Sequence, residues 1–401
     1  MKLNDIIALD KQYYMNTFGD RTPIAFERGD GTTLYDIDGN AYTDLFAGIA
    51  VTSLGYNHPK VTAALIAQAQ KLWHTSNLYY VPVQSRLAKL LIDNSCADRV
   101  FFSNSGAEAN EGAMKLALKH FYKKGIDRHE IITVANSFHG RTIATVKATG
   151  QPKYQAPYAP ILPTGIINVA FGDLAALKAA IGPHTAAIML EVIQGEGGVF
   201  PAGEEYLKAI RKLCDENGCL LIFDEIQVGL CRTGKLFSFE HYGIEPDIFT
   251  LAKALGNGVP IGAFLAKGEV ADAFDPGDHG STYAGGPLVC AAAEATIEVM
   301  LFDNIARQAA DTGAWLKAQL QAVQAQFPSI IQEVRGMGLL IGLGLSSDVP
   351  AASLLTPLRQ KGYIVGTAAA NTLRLAPPLI IEKSALEGFI EALKEVLGTL
   401  T

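Results

Sequence analysis

Cysteine is scarce and badly placed for any covalent framework. The five thiols at Cys96, Cys214, Cys219, Cys231 and Cys290 are odd in number, scattered and never spaced as CxxC. That excludes a disulfide scaffold and a thiolate zinc site, and leaves them as small core residues. Long apolar runs are missing too: no stretch approaches the ~18 residues that would span a bilayer. Met1 to Asp20 mixes Lys2, Asp5, Asp10 and Lys11 with tyrosines and lacks the basic-then-apolar order of a signal peptide. A cytoplasmic protein without a membrane partner is the expectation. Positive charge is not in excess, since the net charge is -7 and no Lys/Arg stripe occurs, which argues against nucleic acid. No Gly-x-Ser-x-Gly or His-Glu-x-x-His is found. What the chain has is apolar material: 49% hydrophobic against 18% charged in 401 residues, enough for two cores, or a large one with a satellite.

Residues 1–55 read as an arm and a hairpin, because Gly29-Asp30-Gly31 and Asp38-Gly39-Asn40 bracket a strand over 32–37. From 56 to 284 helical segments alternate with short, continuously apolar strands at 100–102, 130–134, 186–190, 219–223 and 248–252. This predicts an α/β unit, a mostly parallel sheet covered on both faces by helices. Residues 285–401 predict a smaller α+β unit: helices over 286–302, 304–327 and 384–397, and strands over 338–345, 362–365 and 372–375. Residues 1–55 are expected to join this smaller unit.

Ligands of open α/β sheets gather at the carboxyl ends of strands. The run 248–252 delivers Lys253 there, followed by Gly256, Gly258 and Pro260. A lysine where a buried strand stops loses solvation, and the free amine that results is what a Schiff base with a carbonyl compound requires. The run 219–223 delivers Asp224, Glu225, Ile226 and Gln227, and a carboxylate pushed inward needs a cationic partner. The run 100–102 leads to Ser105 and Glu108 at capping-box spacing, with Gly106 and Ala107 offering free amides to an anion. The run 130–134 leads to Phe138, His139 and Arg141: a ring to stack, an imidazole and a clamp for a carboxylate.

A nucleotide triphosphatase is a rival, since 220–225 has the look of a Walker B strand and Gly229 to Lys235 matches Gly-x4-Gly-Lys. The phosphate loop then follows the acidic strand, however, and Leu236 sits where a Ser or Thr must ligate magnesium. Gly336-Met337-Gly338 has the wrong spacing for a dinucleotide fingerprint.

Six motifs in order, 103–111, 138–141, 194–198, 224–227, 251–256 and 280–283, resemble the class III pyridoxal-phosphate-dependent aminotransferases, over nearly the whole chain. The resemblance implies fold type I, pyridoxal 5′-phosphate as cofactor, and a homodimer with sites at the subunit interface. It also implies transfer of a terminal amino group from N2-acetyl-L-ornithine to 2-oxoglutarate. Ornithine, succinylornithine, 4-aminobutyrate and acetyllysine are the alternative donors. By the same resemblance Lys253 holds the cofactor and shuttles the proton, and Asp224 pairs with the ring nitrogen. Gln227 reaches the ring hydroxyl, Phe138 stacks on the ring, and Glu225 and Ile226 complete that wall. Ser105, Gly106, Ala107 and, from the neighbouring subunit, Thr282 seat the phosphate. Arg141, with Ser281 nearby, takes the α-carboxylate of the donor. Arg374 takes that of 2-oxoglutarate, and Glu196 pairs with it when the donor enters. The chain departs from the family pattern at Val192, Cys231, Asn257, Ala284 and Gly286, none of which is assigned a chemical role.

Overall fold

The computed structural model describes residues 1–369 and 371–400. Its centre is a seven-stranded sheet in the spatial order Arg99–Ser103, Gly262–Ala266, Ile248–Leu251, Leu220–Asp224, Thr185–Leu190, Glu130–Val134, Ile166–Val169. All strands run parallel except Gly262–Ala266, which is antiparallel to both neighbours. The four strands Gly262–Ala266, Ile248–Leu251, Leu220–Asp224 and Thr185–Leu190 are buried along their whole length, as their unbroken apolar runs require. The chain's turn into Gly262–Ala266 was not foreseen, nor was Ile166–Val169, whose half-buried residues and Asn168 carry a weak strand signal.

The smaller unit holds an antiparallel sheet in the order Ile331–Met337, Leu340–Leu345, Thr372–Leu375, Gly366–Ala368. Helices Ile305–Gln326 and Lys383–Gly398 pack together over it. The expected strand 338–345 starts later, because Gly338 (φ 54°) makes the turn into it. The expected strand 362–365 shortens to Tyr363–Ile364, and a separate strand, Gly366–Ala368, follows in another sheet. Tyr363–Ile364 pairs in parallel with Ala41–Asp44 of the N-terminal hairpin, and Gly366–Ala368 joins Thr372–Leu375. The hairpin and the C-terminal unit thus share backbone hydrogen bonds.

Arg232 ties these parts together. Its buried guanidinium donates to the Leu339 and Pro377 carbonyls (3.0 and 2.6 Å) and to Ser53 Oγ (3.0 Å), and burial pulls its pKa down to about 9. The segment that matched Gly-x4-Gly-Lys is therefore a core staple rather than a phosphate loop. No helix among the described residues is long and apolar enough to cross a membrane.

Candidate active site

Strand ends on the carboxyl side of the large sheet open into a cavity of about 410 Å³. Ten of the residues to which the family resemblance gives a role line it: Ser105, Gly106, Ala107, Phe138, Arg141, Glu196, Asp224, Ile226, Gln227 and Lys253. Lys253 follows Ile248–Leu251 directly and begins a short 3-10 turn with φ 43°. A left-handed lysine is strained, by roughly 1–3 kcal/mol. Burial pushes its amine down to about 8; the Glu196 carboxylate works against that fall and the Arg374 guanidinium adds to it.

Asp224 lies at the end of the next strand and is 3% exposed. His139 Nδ1 lies 2.7 Å and Asn110 Nδ2 2.8 Å from its Oδ2, and the Ile226 N–H donates to Oδ1 (3.0 Å). A carboxylate accepts only hydrogen bonds, so His139 carries its proton on Nδ1. Of about four acceptor directions on a carboxylate, one on Oδ1 is left for a ligand. Glu225, one residue on, faces the other way by strand alternation. It lies outside the cavity, bonded to the Ser238 amide (2.8 Å) and hydroxyl, and burial raises its pKa to about 7.

Across the sheet, Ser105 caps the 18-residue helix Gly106–Lys123 by accepting from the Glu108 N–H (3.2 Å). The capping box closes one residue early, with the Glu108 carboxylate on the Asn104 amide (2.6 Å). Gly106 and Ala107 then lie at the positive end of the helix, where orphan amides favour an anion. A Cβ on Gly106 would stand 2.8 Å from Ile226 Cδ1, so the amide comes close to the apolar wall because it has none. Phe138 supplies the opposite ring, with Arg141 over the Tyr154 ring at 3.7 Å.

Arg374, from Thr372–Leu375, stands behind the cavity lining. It is 3% exposed and donates from Nη1 to Glu196 Oε1 (2.5 Å) and Gln227 Oε1 (3.3 Å). Burial raises the Glu196 carboxyl, but the charge and hydrogen bond of Arg374 more than offset it, and its pKa falls below the usual range. Ser281 touches the site only through Asn104, whose Nδ2 donates to its Oγ (2.9 Å), and Thr282 is exposed outside the cavity.

Three residues here escaped the sequence reading. Asn110 is polar on the buried face of a helix; Thr250 Oγ1 donates to its Oδ1 (2.8 Å). Glu191 follows an apolar strand just as Asp224 does, and burial, with Asp224 nearby, raises its pKa well above the usual range. Its carboxylate accepts from the Phe138 amide (3.1 Å). Among the departures from the family pattern, Asn257 adopts φ 45° and staples the N-terminal segment, accepting from the Leu54 N–H (2.8 Å) and donating to the Gly55 carbonyl (3.1 Å). Among the described residues, one trio of possible metal ligands occurs, exposed Asp127, His129 and His184. It precedes the strands Glu130–Val134 and Thr185–Leu190, at the end of the sheet away from the cavity, and both imidazoles already bond Asp127.

This chain belongs to the class III aminotransferases: the family described as "Aminotransferase class-III" matches residues 14–397. It is 47% identical to an acetylornithine aminotransferase of Methanothermobacter thermautotrophicus over 400 residues, all of both chains. Its fold matches an ornithine aminotransferase of Toxoplasma gondii with TM-score 0.93 at 34% identity, over 98% of this chain and 94% of that one. There pyridoxal phosphate partially occupies the active site. An acetylornithine aminotransferase of Elizabethkingia anophelis matches with TM-score 0.88 at 31% identity, over 99% of each chain. The enzyme is a pyridoxal-phosphate-dependent transaminase, and the residues present fit that cofactor. One acceptor direction on Asp224 suits a ring N–H, the Phe138 and Ile226 walls suit its faces, the helix end suits a phosphate, and Lys253 supplies an amine.

Proposed function

We propose that the enzyme moves the terminal amino group of N2-acetyl-L-ornithine to 2-oxoglutarate, giving N-acetylglutamate 5-semialdehyde and glutamate, a step of arginine biosynthesis in the cytoplasm. The observation that carries this reading is the Arg374–Glu196 pair. A ping-pong transaminase must accept two unlike molecules in one pocket, and a buried guanidinium whose partner can swing away meets that need. With Glu196 on Arg374 the charge is neutralised and an acylated donor enters amine-first. With Glu196 withdrawn, Arg374 offers a bidentate seat to the α-carboxylate of 2-oxoglutarate. Arg141, exposed at the mouth, takes the α-carboxylate of the donor.

Pyridoxal phosphate supplies a conjugated ring that takes up the electron pair left when the substrate C–H bond breaks. The chain does the rest. Lys253 Nζ, its basicity lowered by burial, would hold the cofactor and, once displaced, move the proton off and back onto carbon. Asp224 would accept from the ring nitrogen on the side of Oδ1, where one acceptor direction is left beside the Ile226 N–H, and the Gly106 and Ala107 amides would hold the phosphate. Gln227, already bonded to Glu196 (3.3 Å), orients the ring hydroxyl.

The homodimer and the division into units at 1–55, 56–284 and 285–401 belong to the same proposal. Helix Leu3–Tyr13 buries none of its residues within the chain, and Trp73, Leu78, Tyr79, Tyr80 and Tyr283 are exposed. Such apolar faces support a second copy as their cover, and Thr282 beside Tyr283 is then free to reach the neighbour's phosphate. Steady-state rates with acetylornithine, ornithine, succinylornithine, 4-aminobutyrate and acetyllysine test the donor. Acetylornithine should give the highest kcat/KM; a higher value for any of the others overturns the assignment.

A further inference from the structure

We propose that Asn110 is a positioning residue that fixes which oxygen of Asp224 meets the cofactor, and that Thr250 in turn fixes Asn110. The proposal rests on Asp224 being the partner of the ring nitrogen. Asn110 is fully buried on the helix Gly106–Lys123, where an alanine would serve helicity better. Its amide is used on three sides: Nδ2 donates to Asp224 Oδ2 (2.8 Å) and to the His139 carbonyl (2.7 Å), and Oδ1 accepts from Thr250 Oγ1 (2.8 Å).

These partners leave the amide one orientation. Turned over, Oδ1 would face a carboxylate and a carbonyl, two acceptors, and Nδ2 would lose both bonds. Thr250 sits directly opposite Asp224 in the parallel pairing of Leu220–Asp224 with Ile248–Leu251, three residues before Lys253. A single strand therefore carries the hydroxyl that sets the amide and leads directly to the amine. Oδ2 is filled by Asn110 and His139, and the free direction is left on Oδ1, which shares its oxygen with the Ile226 N–H. Without Asn110, Oδ2 keeps one donor and the carboxylate can rotate, offering either oxygen with a looser hold on the ring.

The test compares wild-type holoenzyme with Asn110→Leu, Thr250→Val and Thr250→Ser. Asn110→Leu should lower kcat about 10- to 100-fold, the worth of a hydrogen bond to a charged group, with KM for the amino donor changed much less. It should weaken pyridoxal phosphate binding to the apoprotein about tenfold and raise the pH midpoint of the bound cofactor's absorbance change by about one unit, the scale of one hydrogen bond to a charged group. Thr250→Val should move these readouts in the same direction by less, Thr250→Ser should restore them, and Thr250→Val added to Asn110→Leu should change nothing further. A shift in apoprotein melting temperature alone, with cofactor affinity and absorbance midpoint at wild-type values, overturns the proposal, as does additivity of the two substitutions. A wild type that binds no pyridoxal phosphate overturns the parent reading and this one together; a yellow wild type with unmoved variants overturns this one alone.

Discussion

Arg374 Nη1 lies 2.5 Å from Glu196 Oε1, and the pair shares Gln227, whose Oε1 accepts from Arg374 and whose Nε2 donates to Glu196. A guanidinium this buried is costly unless paired, so the carboxylate that neutralises it must be replaced by another when it leaves. Arg374→Ala should slow the 2-oxoglutarate half-reaction about 10- to 100-fold, the worth of a charge-assisted hydrogen bond, and the donor half-reaction by much less. Single-turnover absorbance changes with each substrate measure the two separately. Equal losses would count against an exchange of partners at Arg374.

The glycine beside Glu196 maintains this arrangement. A Cβ on Gly195 would meet Gln227 Oε1 at 1.8 Å, and the flexible end of Gln227 can move away, at the expense of its bonds to Glu196 and Arg374. Gly195→Ala should therefore fold with a melting temperature near wild type yet lose about tenfold in kcat/KM for 2-oxoglutarate. Calorimetry and steady-state kinetics on one preparation check both halves.

Lys253 makes apoprotein stability depend on pH with a definite sign. Its folded pKa of about 8 is below the 10.5 of a free lysine, so the unfolded chain holds more protons between these values. Burying the charged amine destabilises the fold fully below pH 8, and the cost fades as pH rises toward 10.5. Lys253→Met apoprotein should be more stable than wild type by about 3 kcal/mol at pH 7, with the gap closing by pH 10.5. Urea unfolding at several pH values reads the difference; a gap that widens with pH contradicts the buried amine.

Much of this site is written in the sequence, because a polar residue directly after an apolar strand is conspicuous. Lys253 and Asp224 stand out in this way, and Phe138, Arg141 and the helix start at Gly106 follow from the loops after other strands. Glu191 obeys the same rule after Thr185–Leu190, but the sequence pattern alone gives it no chemical role. Asn110 and Thr250 were illegible for another reason. Each is one polar residue inside a regular element, and its meaning depends on which strand lies across from it, which no local pattern encodes. Gly262–Ala266 was missed likewise, since its small residues Gly262, Ala263 and Ala266 suit close packing rather than strand propensity.

Glu225 shows the opposite pH dependence. Burial raises its folded pKa to about 7 from an ordinary 4.5, so the folded state holds the extra proton, and stability present below pH 4.5 is lost as pH rises through 7. Glu225→Gln keeps an acceptor for the Ser238 amide and removes the charge. Its melting temperature should match wild type near pH 4.5 and exceed it by several degrees at pH 8, with kcat/KM little changed because the side chain faces away from the cavity.

The account turns on Lys253 as the amine that holds the cofactor, and the visible absorbance spectrum after incubation with pyridoxal phosphate and desalting tests it most directly. Wild type should retain a yellow band, and Lys253→Ala should lose both that band and turnover. A colourless wild type, or a Lys253→Ala variant that still transaminates, would contradict it.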